Sequence, residues 1–560
     1  MRETSTILHR LKIWAHDQPQ QPALHYKIEE GVWETLSADR YWHQVVRVAL
    51  SLVQYGVRRG ERIFIYGQNS PEWVQWELGT WLMGAMSVGV HPHTTEHELG
   101  LMLEQTQPKL ILVESSLYRE RLLQAGAVAE SILTFPEAVD QILSLKAIGD
   151  EELDSRGENL LQALPVGHDC MIIFTSGSTG APKGVLMGLR QLTYVADALS
   201  REWRLPYMDG QLFSFLPLAH IAEKVQTLGV AIVQRYPVWF NSSYEQFFPE
   251  LREVRPSMLL AVPRVWERFK EQVESQKPKI LQRLMELERL GKIAEKVYLT
   301  QVKEGLGLDR LKFAVSGAAK LPPAIGEWFN KIGIEIQEIY GMSESCGLIT
   351  LTRPPRSGFT TVGTPPTGVE IRLAMDGEIL VRGPQVFSGY WNGEEATREV
   401  LLSEGWLKTG DLGEMNGGLH IIGRNRDIIK LSNGRMVAPL PIENVLKEIP
   451  EVSNVCVVGE GKPSLLALIT LKENVLVELR FTPGAIEGLT VEDEKTRKRI
   501  SEQALALLKA RKFGDTGIRL VILSRDFSAE QKELTQTQKL NRSRIADLYR
   551  HFIDLQYESF

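Results

Sequence analysis

The chain has only three cysteines, Cys170, Cys346 and Cys456, and they are far apart in the sequence. They match no metal-ligand spacing, so we expect buried thiols in a reducing compartment. Long apolar runs are also missing: no stretch is long enough to span a bilayer, and residues 1–19 lack the uninterrupted apolar core of a signal peptide. These absences predict a cytoplasmic protein, and they leave peripheral association with a membrane surface open.

Basic residues are not in excess. The formal net charge is -6 at pH 7, from 64 lysines and arginines against 70 aspartates and glutamates. A nucleic-acid-binding protein usually needs a basic surface, so we expect no nucleic-acid partner. The chain is 560 residues long, which is too long for one hydrophobic core, and we expect two or more domains. The sequence does not indicate the oligomeric state.

Helical and strand patterns alternate from residue 33 to about residue 122. Such alternation indicates α/β layers with a largely parallel sheet. Residues 363–390 are rich in glycine, proline and short β-like runs, which predicts a small antiparallel region. Near the start of the chain, residues 4–16 place four apolar side chains on one helical face: Ile7, Leu8, Leu11 and Trp14. Such a face usually packs on its own domain, and a membrane-surface helix is the alternative.

The most informative stretch is residues 172–185, which read IIFTSGSTGAPKGV. An apolar run typical of a buried strand breaks at Thr175 into hydroxyl and glycine residues and then reaches Lys183. A loop of this kind offers bare backbone N–H groups, hydroxyl donors and one ammonium, which suits phosphate oxygens. It is not a Walker P-loop, because Gly-Lys-[Ser/Thr] does not follow the glycines at the required spacing. A flexible surface loop is the plainer alternative for a glycine-rich stretch taken alone.

Three later blocks carry polar side chains in strand-end or loop contexts. Residues 335–347, EIQEIYGMSESCG, place Tyr340 before a glycine turn and Glu344 shortly after it. Residues 405–411, GWLKTGD, end in Asp411, which can accept two hydrogen bonds from a diol or simply bond its own turn. Residues 533–542, ELTQTQKLNR, are polar and loop-like and contain Lys539.

These blocks, in this order, resemble the adenylate-forming superfamily, in the branch of the long-chain fatty acyl-CoA synthetases. The resemblance extends from about Pro22 to Asp547. It implies an α/β fold with a large N-terminal domain, residues 1–425, that combines parallel or mixed sheets, helices and a small β region. A small, mobile α+β domain that carries the catalytic lysine is implied for residues 426–560.

The resemblance also implies that ATP, Mg²⁺ and coenzyme A take part in the reaction. Glu344 fits the magnesium ligand, because magnesium on ATP takes one or two protein carboxylates together with phosphate oxygens. The family usually has threonine at position 343, and Ser343 keeps the hydroxyl. The residues assigned to ATP and AMP binding are Thr175, Ser176, Gly177, Ser178, Thr179, Gly180, Lys183, Gly317, Ala318, Ala319, Glu338, Ile339, Tyr340, Gly341, Met342, Ser343, Asp411 and Arg424.

The implied function is the activation of a long-chain fatty acid to acyl-AMP with release of pyrophosphate, followed by formation of acyl-CoA. Arg426 matches the hinge position, where the family more often has aspartate or lysine, and Gly434 lies on the coenzyme A side. His220 matches a position beside the acyl pocket and the entry of the thiol, although a lone histidine is usually a packed core residue. The residues assigned to catalysis are Lys539, Glu344, Thr175, Lys183 and His220.

Two alternative functions stay open at this point. One is a fatty acyl-AMP ligase that loads an acyl carrier protein instead of coenzyme A. The other is a non-catalytic lipid- or nucleotide-binding protein that kept the fold, although such a protein would be expected to have lost Lys539, Glu344 or Asp411. The sequence does not indicate the preferred length of the acyl chain or how the protein is regulated.

Overall fold

The computed structural model describes residues 5–28, 31–135, 137–138, 148–165, 167–175, 182–275, 298, 300–356, 358–478, 490–491, 493–511, 513, 517–528, 530–534 and 540–558. The chain forms two compact units. The first unit contains Met1–Ile371 and Val381–Lys408, and the second contains Arg372–Leu380 and Thr409–Phe560. The boundary expected after residue 425 marks the start of a domain that the resemblance implies to be mobile, and it stays a prediction.

The helices lie mostly between strands, as expected for α/β layers. In chain order they are α1 (Ile7–Asp17), α2 (Ala38–Gln54), α3 (Pro71–Met83), α4 (Glu96–Thr106), α5 (Ser116–Gln124), α6 (Asp150–Ala163), α7 (Leu189–Glu202), α8 (Ile221–Lys224), α9 (Ala231–Gln234), α10 (Phe247–Val254), α11 (Pro263–Ser275), α12 (Pro323–Lys331), α13 (Glu394–Val400), α14 (Pro439–Leu446), α15 (Glu473–Glu478), α16 (Glu494–Ala510), α17 (Arg542–Leu548) and α18 (Arg550–Glu558). A π-helical turn, Val225–Val230, joins α8 to α9.

The strands are short. In chain order they are β1 (Pro22–Lys27), β2 (Trp33–Ser37), β3 (Arg62–Tyr66), β4 (Met86–Val90), β5 (Leu110–Val113), β6 (Ile132–Thr134), β7 (Asp169–Thr175), β8 (Lys183–Gly188), β9 (Leu212–Ser214), β10 (Val238–Phe240), β11 (Met258–Ala261), β12 (Phe313–Ser316), β13 (Ile336–Tyr340), β14 (Thr350–Leu351), β15 (Glu370–Leu373), β16 (Glu378–Arg382), β17 (Gly389–Tyr390), β18 (Leu407–Met415), β19 (Leu419–Arg424), β20 (Ile429–Lys430), β21 (Met436–Val437), β22 (Val452–Val458), β23 (Leu466–Leu471) and β24 (Arg519–Ile522).

Two largely parallel sheets form the first unit. One has the order β17-β8-β7-β4-β3-β5-β6, with parallel pairing from β7 to β6 and antiparallel pairing at β8 and β17. The other has the order β14-β13-β12-β11-β9-β10-β1-β2, with parallel pairing from β13 to β1 and an antiparallel strand at each edge. The predicted parallel α/β layering is confirmed.

A four-stranded sheet has the order β15-β16-β18-β19, and β18 is antiparallel to β19. The small antiparallel region predicted for residues 363–390 therefore contributes β15 and β16 to a sheet that continues to residue 424. Glycine turns with positive φ, at residues 377 and 417–418, close its hairpins without the steric penalty that a side chain would add.

Helix α3 shows how the sequence specifies a buried element of the first unit. Ser70 caps its N-terminus by accepting a hydrogen bond from the Trp73 N–H, Pro71 occupies the first turn, and Gly84 ends the helix in the left-handed conformation. Each of these residue types is favoured at its position. Nearly the whole helix is buried, which agrees with its apolar residues on every face.

The apolar face of the first helix is part of the core. In α1, the side chains of Ile7, Leu8, Leu11 and Trp14 are at most 1% exposed. The membrane-surface alternative for this face is therefore wrong, because these side chains are packed inside their own unit. Within the described ranges, no helix is both long enough and apolar enough to cross a bilayer.

The second unit contains a three-stranded sheet, β22-β23-β24, with apolar side chains on both faces. Alternate residues of a strand point to opposite faces, so Val455 and Val457 pack in one cluster, whereas Cys456 and Val458 pack in another. Helices α14 and α16 supply side chains to the first cluster, and α17 and α18 supply side chains to the second. This arrangement confirms the predicted α+β organisation near the C-terminal end.

The three cysteines are buried free thiols, as predicted. Burial raises the pKa of each thiol above its usual value. They are therefore poor nucleophiles at neutral pH.

Candidate functional site

The glycine-rich loop connects two neighbouring strands of the seven-stranded sheet, β7 and β8. Strand β7 ends at Thr175 and β8 begins at Lys183, and the two residues are direct partners in the antiparallel pairing. The hydroxyl and the ammonium predicted to hold phosphate are thus brought together at the mouth of the loop. The predicted contacts within the loop lie outside the described residues: Ser176, Gly177, Ser178, Thr179 and Gly180.

Glu344 lies in a short 3₁₀ turn, Ser343–Ser345, that follows β13. Its side chain is buried and its Oε1 accepts a hydrogen bond of 2.8 Å from the hydroxyl of Tyr390. Its carbonyl oxygen accepts a hydrogen bond of 2.9 Å from the Phe387 N–H. The carboxylate predicted to hold magnesium is therefore fixed in place through both its main chain and its side chain.

Tyr390 connects Glu344 to the phosphate loop. It lies on β17, which pairs with β8 so that Tyr390 is opposite Val185. Its ring centroid is 5.3 Å from the Lys183 ammonium, within the range of a cation–π contact. Burial, and then the neighbouring Glu344 carboxylate, raise the pKa of the Tyr390 hydroxyl, which keeps it a hydrogen-bond donor.

No sequence motif marks Tyr390 as a site residue. A tyrosine after a glycine, in a short β-like run, is an ordinary sequence feature. The pairing of β17 with β8, between residues about 200 positions apart in the sequence, gives Tyr390 its position.

The predicted adenine-binding segment forms a tight turn at the end of β13. Tyr340 ends that strand, and its carbonyl oxygen accepts a hydrogen bond of 2.7 Å from the Ile349 N–H. A Cβ atom on Gly341 would lie 2.3 Å from the carbonyl carbon of Gly347, closer than any side chain tolerates. Glycine is therefore required at position 341. Ile339, Met342 and Ser343 flank this turn and are partly exposed.

The small residues after β12 lie beside this turn. Strands β12 and β13 are parallel neighbours, with Ser316 opposite Glu338, so their carboxyl ends share one sheet edge. A Cβ atom on Gly317 would have the Ile339 carbonyl oxygen as its nearest neighbour, at 3.7 Å, so the backbone is open there. Ala318 has a φ of 66°, and it and Ala319 are exposed. Ligands of open α/β sheets bind at such carboxyl ends.

Glu338 has structural partners for its side chain. The carboxylate is buried, forms an ion pair with Arg356 and accepts a hydrogen bond of 2.9 Å from the Leu321 N–H. Burial raises the pKa of this carboxyl and the Arg356 guanidinium counteracts that shift. The nucleotide contact assigned to position 338 stays a prediction, and the observed contacts explain a carboxylate there without a ligand.

Asp411 and Arg424 meet in the second unit. They are opposite each other on β18 and β19, and the Arg424 Nε lies 3.0 Å from the Asp411 Oδ1. The Asp411 N–H donates to the Thr409 hydroxyl at 3.1 Å. Asp411 is buried within a strand, whereas the Arg424 side chain is 44% exposed. The two residues predicted to contact ribose thus form one charged pair.

His220 precedes α8, close to the end of β4. A Cβ atom on Gly89 would lie 3.1 Å from the Ala219 Cα, so the main chain before His220 packs directly on that strand. The His220 ring centroid is 5.2 Å from that of His91. Burial, with the neighbouring imidazoles His220 and His93, lowers the pKa of His91 to about 3, which keeps His91 neutral at physiological pH.

The remaining predicted positions lie in the second unit. Arg426 is exposed in a 3₁₀ turn, Asn425–Asp427, that follows β19. Gly434, with a φ of 83°, lies in the turn between β20 and β21. Lys539 lies outside the described residues, whereas Leu534 and Leu540 on either side form an antiparallel bridge.

The described residues fit a magnesium site of the kind that nucleotides use. No group of three histidine, cysteine or acidic side chains in the described ranges could hold a metal by itself. Magnesium on a nucleotide needs only one or two carboxylates, because phosphate oxygens and water complete its octahedron. The buried Glu344 carboxylate, bonded at one oxygen by a neutral hydroxyl, meets that requirement.

Comparison with protein families identifies the class of this chain. Residues 11–391 match the model of the AMP-binding enzymes, and residues 426–482 match that of the AMP-binding enzyme C-terminal domain. The chain therefore belongs to the AMP-binding enzyme family. ATP and coenzyme A are substrates of the adenylate-forming ligases within that family.

Curated relatives match over nearly the whole chain. One is the long-chain-fatty-acid–CoA ligase ACSBG2 of Xenopus laevis, 28% identical over 602 residues, which cover 94% of this chain and 80% of the relative. Another is the long-chain-fatty-acid–CoA ligase FadD15 of Mycobacterium bovis, 28% identical over 571 residues, which cover 95% of this chain and 94% of the relative.

Solved structures share the fold. ATP-bound MatB from Rhodopseudomonas palustris has a TM-score of 0.73 at 21% identity, covering 98% of this chain and 99% of that one. The fatty acyl CoA synthetase of Mycobacterium tuberculosis has a TM-score of 0.66 at 19% identity, covering 97% and 98%. At these identities the likeness establishes the fold alone, and it confirms the predicted fold class.

Proposed function

We propose that this chain is an AMP-forming long-chain fatty acid–CoA ligase. The main support for the proposal is that Glu344 and Lys183 both contact Tyr390, next to the point where the glycine-rich loop begins and ends. This cluster combines one available carboxylate with one ammonium, which suits a metal-bound polyphosphate. The family match and the long-chain ligases among the relatives support the same activity.

In the first half-reaction, a carboxylate oxygen of the fatty acid attacks the α-phosphorus of ATP, and the bond to the bridging oxygen breaks so that pyrophosphate leaves. Lys183 and Thr175 would contact the β- and γ-phosphates together with the loop residues Ser176 and Thr179. Glu344 would hold Mg²⁺, which when bound supplies charge neutralisation for the phosphate oxygens. These groups act by positioning and electrostatics, and no protein nucleophile is needed.

The nucleoside part of the substrate has separate contacts. Tyr340 would stack on adenine, and Gly317 would let the ring approach the backbone at the open sheet edge. Asp411 and Arg424 would bind the ribose. Lys539 would stabilise the negative charge that develops between the carboxylate and the α-phosphate, for which a long, flexible ammonium is well suited.

In the second half-reaction, the thiol sulfur of coenzyme A attacks the acyl carbonyl carbon, the thiol proton is lost, and AMP leaves with its bonding electrons. Arg426 would be the hinge about which residues 426–560 turn between the two steps. Gly434 would let the pantetheine arm pass close to the backbone. His220, which the resemblance assigns to the entry of the thiol, would line that entry together with its neighbour, the neutral His91.

The test is pyrophosphate release from Mg-ATP with carboxylic acids of increasing chain length, with and without coenzyme A. Release that requires a long acid and turns over repeatedly only with coenzyme A is the expected result. A long-acid response without any effect of coenzyme A would instead indicate a ligase that loads a carrier protein. No release with any acid would contradict the proposed activity.

A variant at Lys539 separates the two half-reactions in the same assay. Lys539→Ala should abolish pyrophosphate release and spare thioester formation from supplied acyl-adenylate. Equal loss of both half-reactions would contradict the role proposed for this lysine.

A further inference from the structure

Tyr390 lies between two opposite charges of the site. Its hydroxyl donates to the Glu344 Oε1 at 2.8 Å, and its ring faces the Lys183 ammonium at 5.3 Å. In the described part of the chain, Lys183 forms no ion pair with a carboxylate within 4.0 Å. One side chain therefore contacts both charged groups without allowing them to form an ion pair.

The protein framework alone determines the position of this tyrosine. Its main-chain N–H donates to the Thr397 hydroxyl at 2.9 Å, and β17 pairs with β8 on the other side. The ring packs edge-on against Phe387, with centroids 5.0 Å apart and planes at 72°. Because these contacts involve no ligand, the tyrosine is pre-organised before a substrate arrives.

The chemistry of the two contacts preserves both charges for a ligand. A hydroxyl satisfies one carboxylate oxygen without neutralising it, and an aromatic ring attracts an ammonium without neutralising it. A direct ion pair between Glu344 and Lys183 would neutralise both groups, and a metal–nucleotide complex would have to break it. Separation of the pair is therefore an advantage for binding, because less reorganisation is needed.

We propose that Tyr390 is a positioning residue that holds Glu344 and Lys183 apart and oriented for a magnesium–nucleotide triphosphate. This inference rests on the proposed function, and it adds a residue outside the sequence blocks that identified the site. The hydroxyl acts on the carboxylate, and the ring acts as a spacer and a weak partner for the ammonium. The two parts of the side chain can therefore be tested separately.

The test uses the full chain and measures dissociation constants by calorimetry for Mg-ATP and for AMP, which needs no metal. Tyr390→Phe removes only the hydroxyl, and should weaken Mg-ATP binding about three- to tenfold while leaving AMP binding unchanged. Tyr390→Leu removes the hydroxyl and the spacer, and should weaken Mg-ATP binding more than Tyr390→Phe, again sparing AMP.

A matched control is Tyr194→Phe in the same unit. The Tyr194 hydroxyl donates to the Thr367 carbonyl at 2.7 Å and makes no contact with the site residues Glu344 or Lys183. Both dissociation constants should be unchanged in this variant. A double variant, Glu344→Gln with Tyr390→Phe, should lose less than the sum of the two single effects, because the hydroxyl acts through the carboxylate.

Three results would overturn the inference. Equal weakening of Mg-ATP and AMP by Tyr390→Phe would indicate a merely structural tyrosine, and unchanged Mg-ATP binding in that variant would show that the hydroxyl has no role. Additive losses of Mg-ATP binding in the double variant would show that the hydroxyl does not act through Glu344. If the unaltered protein bound neither nucleotide, the proposed function itself would fail, and that outcome is distinct from the other three. Should Tyr390→Leu fail to fold, Tyr390→Phe and the double variant decide the question.

Discussion

Two buried glutamates, one in each unit, have opposite surroundings. Glu443 in the second unit is 2% exposed, and its carboxylate accepts hydrogen bonds from both terminal nitrogens of Arg542 and from the Val457 N–H at 2.7 Å. Glu344 in the first unit is 7% exposed, and among the described residues its carboxylate accepts one hydrogen bond, from the Tyr390 hydroxyl.

The difference separates a carboxylate that stabilises the fold from one that is available to a ligand. A guanidinium balances the charge of Glu443, and both of its oxygens accept hydrogen bonds. Among the described residues, Glu344 has no cationic partner. Burial alone would not distinguish the two residues, and the type of partner does.

The largest effect should follow from breaking the compensated pair. Arg542→Met leaves Glu443 buried without its charge partner and should destabilise the second unit by about 3–5 kcal/mol. Urea denaturation measures this loss. The control is Arg550→Met, because Arg550 pairs with Asp547 on the surface of the same unit and such pairs contribute about 0–1 kcal/mol. A loss below about 1 kcal/mol for Arg542→Met would contradict the comparison.

Glu344→Gln should reduce activity strongly and stability little, in contrast to Arg542→Met. Stability should change by less than about 1 kcal/mol, because the Tyr390 hydroxyl can donate to the new amide oxygen. Pyrophosphate release should fall about 10²–10³-fold, since one preorganised electrostatic contact is removed. The surface variant Glu394→Gln, at an exposed residue that pairs with Arg398 in its own helix, should retain full activity. Retained activity in Glu344→Gln, or a large loss of stability, would remove the distinction between the two glutamates.

A third buried glutamate, Glu223, should make the stability of the fold depend on pH. Glu223 is fully buried, accepts a hydrogen bond of 2.7 Å from the Thr227 hydroxyl, and has a pKa raised by burial to about 7. Between the unfolded value of 4.5 and about 7, the folded protein therefore binds more protons than the unfolded chain. Stability should fall as pH rises through this window, by about 3 kcal/mol in total.

The measurement is the free energy of unfolding from pH 4 to pH 8 for the unaltered protein and for Glu223→Gln. The variant has no proton to lose at this position, so the difference between the two curves should change within the window and be flat outside it. Parallel curves would mean that Glu223 does not carry the proton.

The smallest effect is expected at the Asp411–Arg424 pair of the second unit. Asp411→Ala should raise the KM for ATP about 10- to 100-fold, because hydrogen bonds to a charged group contribute about 1.5–3 kcal/mol. Stability should change little, since Arg424 is 44% exposed and water can replace its partner. An unchanged dependence on ATP would contradict the ribose contact proposed for Asp411.

Most residues of the candidate site were proposed from sequence blocks, because each block carries its own local chemistry. Thr175 and Lys183 flank a glycine-rich loop, and Gly341 makes a turn that no other residue could make. Such features depend on residues that are adjacent in the sequence, so they can be predicted without knowledge of the fold. The membrane alternative for the first helix was wrong for the opposite reason: an apolar helical face does not reveal what it packs against.

The sequence by itself determined the parallel α/β architecture, the positions of the strand-end loops and the polar residues that those loops carry. Hydrophobic periodicity and turn chemistry are local, so they can be read along the chain. Only the tertiary structure decided which carboxylate stays available. Tyr390 reaches Glu344 because β17 pairs with β8, and Arg542 compensates Glu443 across 99 positions of sequence. Partners of buried charges are set by long-range packing, and for that reason no local pattern shows which group each buried glutamate contacts.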